Sequence, residues 1–307
     1  GEVGVTGGGL PRREVAPGED DTPYIAANGS DASGVGYGGA ILCENGSSPT
    51  FISCVIENCI VVGAQAGDGM DGDSGDDNGV WGGHGGDGSG TGYGGAVAAL
   101  EGSHPRFLNC TFRANQARGG MGGDGGDGTS PNEDNGWESN GGDGGNAFGD
   151  GRGGAVYADG GSRPYFEDCL FMDNRAITGA PGRGGLTGPG DEISDDYGDE
   201  VFDGFDGFAV SDGSVAGGAG FYEGGNPRFV DCQFTSNEAY EAQPLSYIMQ
   251  FYALTEEEEE SRTYTRGGAL YAGPGALIDI DGSEFTENTG GAVYIAGRAA
   301  VDFNDCT

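Results

Sequence analysis

A Gly-Gly-Ala-apolar element recurs six times along the chain, starting at Gly38, Gly94, Gly153, Gly217, Gly267 and Gly290. The fourth copy breaks the pattern, with Gly220 in the apolar slot. A polar turn follows each of the first four copies and carries Pro49, Pro105, Pro164 or Pro227. Next come an aromatic residue, two others and a cysteine: Phe51–Cys54, Phe107–Cys110, Phe166–Cys169, Phe229–Cys232 and Phe303–Cys306. The fifth copy runs Ile280–Ser283, with serine in the cysteine slot. Two residues on lies Ile56, Phe112, Phe171, Phe234 or Phe285, and three further Cys59, Asn115, Asn174, Asn237 or Asn288. No copy slips within this register.

The shortest interval between cysteine slots, Ser283 to Cys306, is 23 residues. That length suits three strands of roughly four to five residues joined by tight turns. Alternation puts Val301 and Phe303 on one face, and Cys232 and Phe234 on the next. A single coil of this kind cannot bury its own inner face, so coils must stack at strand spacing, about 4.8 Å. Like residues then sit over like, in ladders of Cys, Phe and Gly-Ala, while the repeated Asn satisfies turn backbone groups. The expected fold class is all-β: a right-handed parallel β-helix (β-solenoid) of about six coils spanning 38–307, preceded by an irregular segment or partial coil at 1–37 in which Tyr24–Ala27 adds a strand.

Composition supports a packed but unusual chain. Glycine supplies 69 of 307 residues, yet 15 Phe and 13 Tyr provide for a core. Net charge is −37, and all 13 cations are arginine. Such a surface repels nucleic acid and anionic lipid and attracts divalent cations. No apolar run is long enough to span a bilayer. The chain opens without Met or a leader pattern, which reads as a mature or excised segment of a secreted, extracellular or cell-surface protein.

The paired motifs GGA[ILV] and FxxN resemble the repeat of chlamydial-type polymorphic outer-membrane proteins, and more broadly the pectate-lyase-like β-helix proteins of bacterial surfaces. Gly94–Val97 with Phe112–Asn115, Gly153–Val156 with Phe171–Asn174, and Gly267–Leu270 with Phe285–Asn288 carry the likeness, which covers about half the chain. It implies a surface adhesin, an autotransporter passenger or a scaffold.

All extra length falls at one place, between the Asn slot and the next Gly-Gly, as insertions at 60–93, 116–152, 175–216 and 238–266. Nearly half the chain therefore leaves one corner of the solenoid. The first three insertions keep a triplet rhythm: 82–96 reads GGH-GGD-GSG-TGY-GGA, and 119–130 reads GGM-GGD-GGD-GTS. Period three with glycine is the pattern of an extended polyglycine or polyproline-II strand. Such arms, packed side by side, exchange backbone contacts because glycine permits close approach. A disordered glycine-rich loop is the alternative. The phase runs unbroken into the next Gly-Gly-Ala, which favours ordered out-and-back arms. The middles of all four insertions combine acid with aromatics (Trp81, Trp137, Tyr197, Phe202, Phe205, Phe208, Tyr247, Phe251, Tyr252), suited to a protein or surface-glycan partner or to packing between insertions.

Calcium is the expected ligand. GGxGx[DN] at 82–87, 119–124 and 141–146 places Asp87, Asp124 and Asn146, and Asp71, Asp73, Asp76 and Asp77 form a denser oxygen cluster. A solvated acidic loop explains the same residues. Cys54, Cys110, Cys169, Cys232 and Cys306 share one slot and read as buried free thiols; Cys43 and Cys59 are left open as a bridge. His84 and His104 lack metal-ligand spacing, and Asp168, Asp231 and Asp305 fill one turn slot, so no catalytic set emerges. The functional expectation is an extracellular structural or adhesive solenoid. It belongs to a longer chain or stacks head to tail on itself, because an open final coil exposes a strand edge. The alternative is a carbohydrate-active β-helix enzyme, either a lyase or a glycosidase.

Overall fold

The computed structural model describes residues 24–72, 80–128, 140–186, 204–205, 207, 209–210, 215–240 and 266–307. Every regular element among these residues is a strand, and the strands pair in parallel. The second coil shows the path: Val97–Ala99, Arg106–Leu108, Thr111–Arg113, Gln116–Arg118. Equivalent strands of successive coils form sheets of six, six, five and four strands. The chain is a parallel β-helix, as its repeat requires.

The coil carries one strand more than the expected three. Ile60–Val62, Gln116–Arg118, Arg175–Ile177 and Glu238–Tyr240 form the four-stranded sheet, so each insertion starts as an ordered strand at its root. Their inward residues Val61, Ala117, Ala176 and Ala239 are buried, and this burial holds the chain extended past the Asn slot.

Two sharp corners recur in left-handed backbone. The first holds Ser53, Asn109, Asp168, Asp231 and Asp305 at φ between 48° and 53°. The second holds Asn58, Ala114, Asp173, Ser236 and Glu287 at φ between 52° and 55°. Short polar side chains reach this region at low cost, which accounts for most of these residue types. The first glycine of each Gly-Gly-Ala is demanded more strictly. Gly94 has φ 66°, and a Cβ there would lie 2.1 Å from the Val97 carbonyl oxygen.

Inside the coils the ladders form as their register dictates. Phe51, Phe107, Phe166 and Phe229 stack at 4.9, 5.2 and 5.0 Å between ring centroids. Phe112, Phe171, Phe234 and Phe285 stack at 4.7, 4.8 and 4.7 Å. Asn174 shows the asparagine ladder in full. Its Nδ2 donates to Phe112 O (2.9 Å) and Asn237 Oδ1 (2.9 Å), and its Oδ1 accepts from Asn115 N (3.1 Å). Cys110, Cys169 and Cys232 are buried, all seven thiols are unbridged, and Ser283 Oγ accepts the Cys232 N–H in their slot. Cys43 and Cys59 are likewise unbridged.

The break at Gly220 has a spatial explanation. Where neighbouring coils point Val156 with Ala158, or Leu270 with Ala272, into the core, the fourth coil points Gly220 with Tyr222. Tyr222 is fully buried, and a Cβ on Gly220 would lie 2.5 Å from its hydroxyl. The glycine vacates the volume that the ring fills.

Candidate functional site

The glycine arms are ordered and form a two-layer bundle beside the solenoid. One layer holds the outgoing arms 63–72, 119–128 and 178–186; the other holds the returning arms 24–37, 80–93 and 140–153 and the described part of 204–216. The segment 24–37 is thus a returning arm, with Tyr24–Ile25 paired to Val80–Trp81.

Each GGx triplet spends its three N–H groups in three directions. In arm 80–93, Gly85 donates to Asp143 O of the next arm in its layer (2.8 Å), and Gly86 donates to Gly67 O of the opposite layer (3.0 Å). The third residue, Asp87, donates to a side chain, Asp31 Oδ1, on the preceding arm (2.8 Å). Glycine is required by proximity here: a Cβ on Gly85 would lie 1.9 Å from Gly123 O, and one on Gly82 1.8 Å from Gly126 O. With no internal hydrogen bonds available to this backbone, neighbouring arms supply all of them.

The third slot gives three of the acids proposed as calcium ligands a structural duty. Asp71 Oδ1 accepts the Asp127 N–H (2.9 Å), Asp87 Oδ1 that of Asn146 (2.7 Å), and Asp124 Oδ1 that of Arg183 (2.8 Å). Asp68 and Asp143 act likewise, toward Asp124 N (3.0 Å) and Phe205 N (2.9 Å). Of the four candidates that are described, only Asp87 and Asn146 are brought together; Asp124 and Asp71 belong to two other rungs of the outgoing layer. Asp73, Asp76 and Asp77 lie outside the described residues. Among the described residues no group of three or more His, Cys, Asp or Glu side chains converges as a metal would need. Sequence reasoning did not identify these rungs, although a uniform offset of 56 residues links Asp31 to Asp87, Asp68 to Asp124 and Asp71 to Asp127.

A second aromatic cluster fastens the bundle root to the outside of the Gly-Gly-Ala sheet. Tyr37 stacks on Tyr93 (5.1 Å), which meets Tyr157 (4.5 Å), and the row continues through Phe221, Tyr271 and Tyr294. The Arg152 guanidinium lies over Tyr93 and Phe221, at 5.6 and 5.5 Å. Tyr157 and Phe221 are buried, and burial pushes the Tyr157 hydroxyl well above the ordinary phenol range, with Glu223 adding to the shift. This band is a packed joint. Cation–π contacts of this geometry reinforce it.

The three insertions therefore converge. The described outgoing arms end at Gly72, Gly128 and Leu186, which adjoin through Gly72 N to Asp127 O (2.8 Å) and Gly128 N to Leu186 O (2.8 Å). The described returning arms begin near Trp81 and Asn140, where Gly82 N meets Asn140 O (3.0 Å). Of the aromatics assigned to the insertion middles, Trp81 is half-buried and Phe205 exposed. The others (Trp137, Tyr197, Phe202, Phe208, Tyr247, Phe251, Tyr252) lie outside the described residues.

No family model, curated protein or solved structure matches the chain. No described helix is long and apolar enough to cross a membrane.

Proposed function

We propose that this chain is an extracellular structural or adhesive solenoid whose arm bundle is a stiff stalk presenting the acidic and aromatic segments 73–79, 129–139 and 187–203 to a surface glycan or protein. One observation carries the reading: the backbone hydrogen bonds between arms bring the departure points Gly72, Gly128 and Leu186 side by side. Glycine arms held at this closeness are demanding in sequence. A chain that keeps them over three insertions spends that order on whatever their ends carry. The GGA[ILV] and FxxN likeness to polymorphic outer-membrane repeats supports a cell-surface setting.

The proposal includes self-association or continuation at the ends. Exposed aliphatic residues gather at the first coil (Leu42, Ile52, Val55, Ile60), and Tyr294, Ile295 and Phe303 are exposed on the last. It also keeps calcium as a ligand of the 71–77 segment, so a chelator should lower the thermal transition if that part is correct, and an unchanged transition removes it. The test of presentation replaces 73–79, 129–139 and 187–203 with Gly-Ser linkers of equal length and measures binding to glycan and cell-surface panels. Loss of binding with an unaltered urea transition supports the reading. Equal binding by the linker variant overturns it.

A further inference from the structure

Among the described rungs of the bundle, one uses an imidazole where the others use a carboxylate or carboxamide. His84 Nδ1 accepts the Asp143 N–H at 2.9 Å, while His84's own N–H donates to Asn28 Oδ1 at 2.9 Å. Asp143 in turn accepts the Phe205 N–H through Oδ1 at 2.9 Å. The row Asn28, His84, Asp143, Phe205 thus crosses all four returning arms. On arms 80–93 and 140–153 it lies one triplet from Trp81 and Asn140, near which the described parts of those arms begin.

We propose that this rung is a proton-operated latch. Accepting an N–H requires a lone pair on Nδ1, so the neutral ring must carry its proton on Nε2. The Asp143 carboxylate stands nearby, with Oδ2 at 3.5 Å from the same Nδ1. When a proton from water occupies Nδ1, the ring has two N–H groups and no acceptor. Its attraction moves from the Asp143 amide to the Asp143 carboxylate, and the amide is orphaned. Both side chains are about half exposed, 48% and 47%, so the proton has direct access from solvent.

Each element packed against the ring brings a definite facing group. From arm 24–37 the facing group is neutral Asn28, with Asp31 one triplet on; from its own arm it is Asp87; from arm 140–153 it is Asp143. The opposite layer meets this stretch through backbone hydrogen bonds, Gly83 N to Met70 O and Gly86 N to Gly67 O. Once Nδ1 is protonated, water is the acceptor left to the Asp143 amide. Because the rung adjoins the segments that the bundle presents, acidification loosens the stalk at the end where contact is made. This consequence rests on the proposed function; the latch itself does not.

The experiment reads the latch without any partner. Amide exchange of the intact chain is measured at pH 7.5 and 5.5, corrected for intrinsic rates, in wild type and His84→Asn, which keeps an acceptor without a titratable ring. Asp143 protection should fall roughly three- to tenfold in wild type, the worth of one hydrogen bond, and stay level in His84→Asn. The Asn146 amide, held by Asp87, serves as the internal reference. Nitrogen shifts should show Nε2 protonated and Nδ1 bare at pH 7.5. An Nδ1–H tautomer at that pH, a level wild-type profile, or the same fall in His84→Asn overturns the latch. Failure of binding by the presented segments would leave these readouts untouched.

Discussion

Exchanging the Gly220–Tyr222 pair for the Val–Ala pair of the preceding coil isolates the volume argument behind the core. Gly220→Val alone drives a branched side chain into the Tyr222 ring, whose Cε2 and Cζ lie 2.7 and 2.8 Å from where Cβ would sit. The ring is fully buried and packs edge-on against Phe229 at 6.0 Å, so it has nowhere to swing. Overpacking of this kind costs about 1–3 kcal/mol, with more expected for a clash this short. Tyr222→Ala alone empties most of a phenol ring beside a glycine, costing about 3–5 kcal/mol. Were the sites independent, the double variant would lose their sum, at least about 4 kcal/mol. It should instead lie within about 1 kcal/mol of wild type, because Val with Ala is the pair that fills this volume at 156 and 158. Tyr222→Phe adds a control: the hydroxyl has no hydrogen-bond partner among the described residues, so removing it should stabilise by about 1 kcal/mol. Urea midpoints of the four variants at a shared slope give the coupling. An additive double variant would refute the reasoning.

Three further outcomes are expected. Asn174→Ala removes the acceptor of the Asn115 N–H and the donor to Phe112 O in a buried ladder, and should cost about 3 kcal/mol in a urea transition. Gly85→Ala should part the arms, costing about 2 kcal/mol and speeding amide exchange in 119–126 and 140–146 while coil amides stay slow; unchanged arm exchange would mean the close approach is not required. Burial holds the Tyr222 and Tyr157 hydroxyls and the Cys110 thiol above their ordinary range. Groups raised in this way bind more protons folded than unfolded. Their contribution is complete below about pH 8.5, falls above it as thiols ionise in the unfolded chain, and falls more steeply beyond about pH 10; urea melts from pH 8 to 10.5 should show the decline.

The repeat announced the solenoid because a parallel stack makes identical demands at each rung. Asn115, Asn174 and Asn237 recur for one hydrogen-bonding duty, and Phe107 and Phe166 for one packing duty. The arms were legible for the same reason, since triplet glycine marks where backbones must touch. The fourth strand was not. Its three residues share only a small inward side chain, and Ile60–Val62 has nothing outward in common with Arg175–Ile177. Cys59, the exception in the Asn slot, belongs to the first coil, where no described coil lies above to receive the amide. The described acids Asp71, Asp87 and Asp124 carry a hydrogen-bonding duty that residue type alone does not reveal. A carboxylate that accepts an N–H on the next arm and one that binds a cation are the same residue type, and only the insertion lengths, once subtracted, tell them apart.

That distinction also shows at the edge of the described arms. A third-slot residue needs an acceptor atom only if another arm follows to offer its N–H. Asn28, Asp31, Asp68, Asp71, His84, Asp87, Asp124, Asp127 and Asp143 each have such a follower, and each carries the acceptor. The corresponding residues of the last described arms are Arg183, Leu186 and Phe205, none with an acceptor to offer. The donor slot occupied by Ala66 and Gly122, which give their N–H groups to Met121 and Ala180, is filled at the third arm by Pro181, which has no N–H. An arm edge bristling with unspent N–H and C=O groups would template further pairing, and proline with a cation at that edge discourages it. Among the described arms, the outgoing edge at 178–186 is therefore closed by its own residues, while the solenoid beneath continues through Leu270–Ala272 and Val293–Ile295.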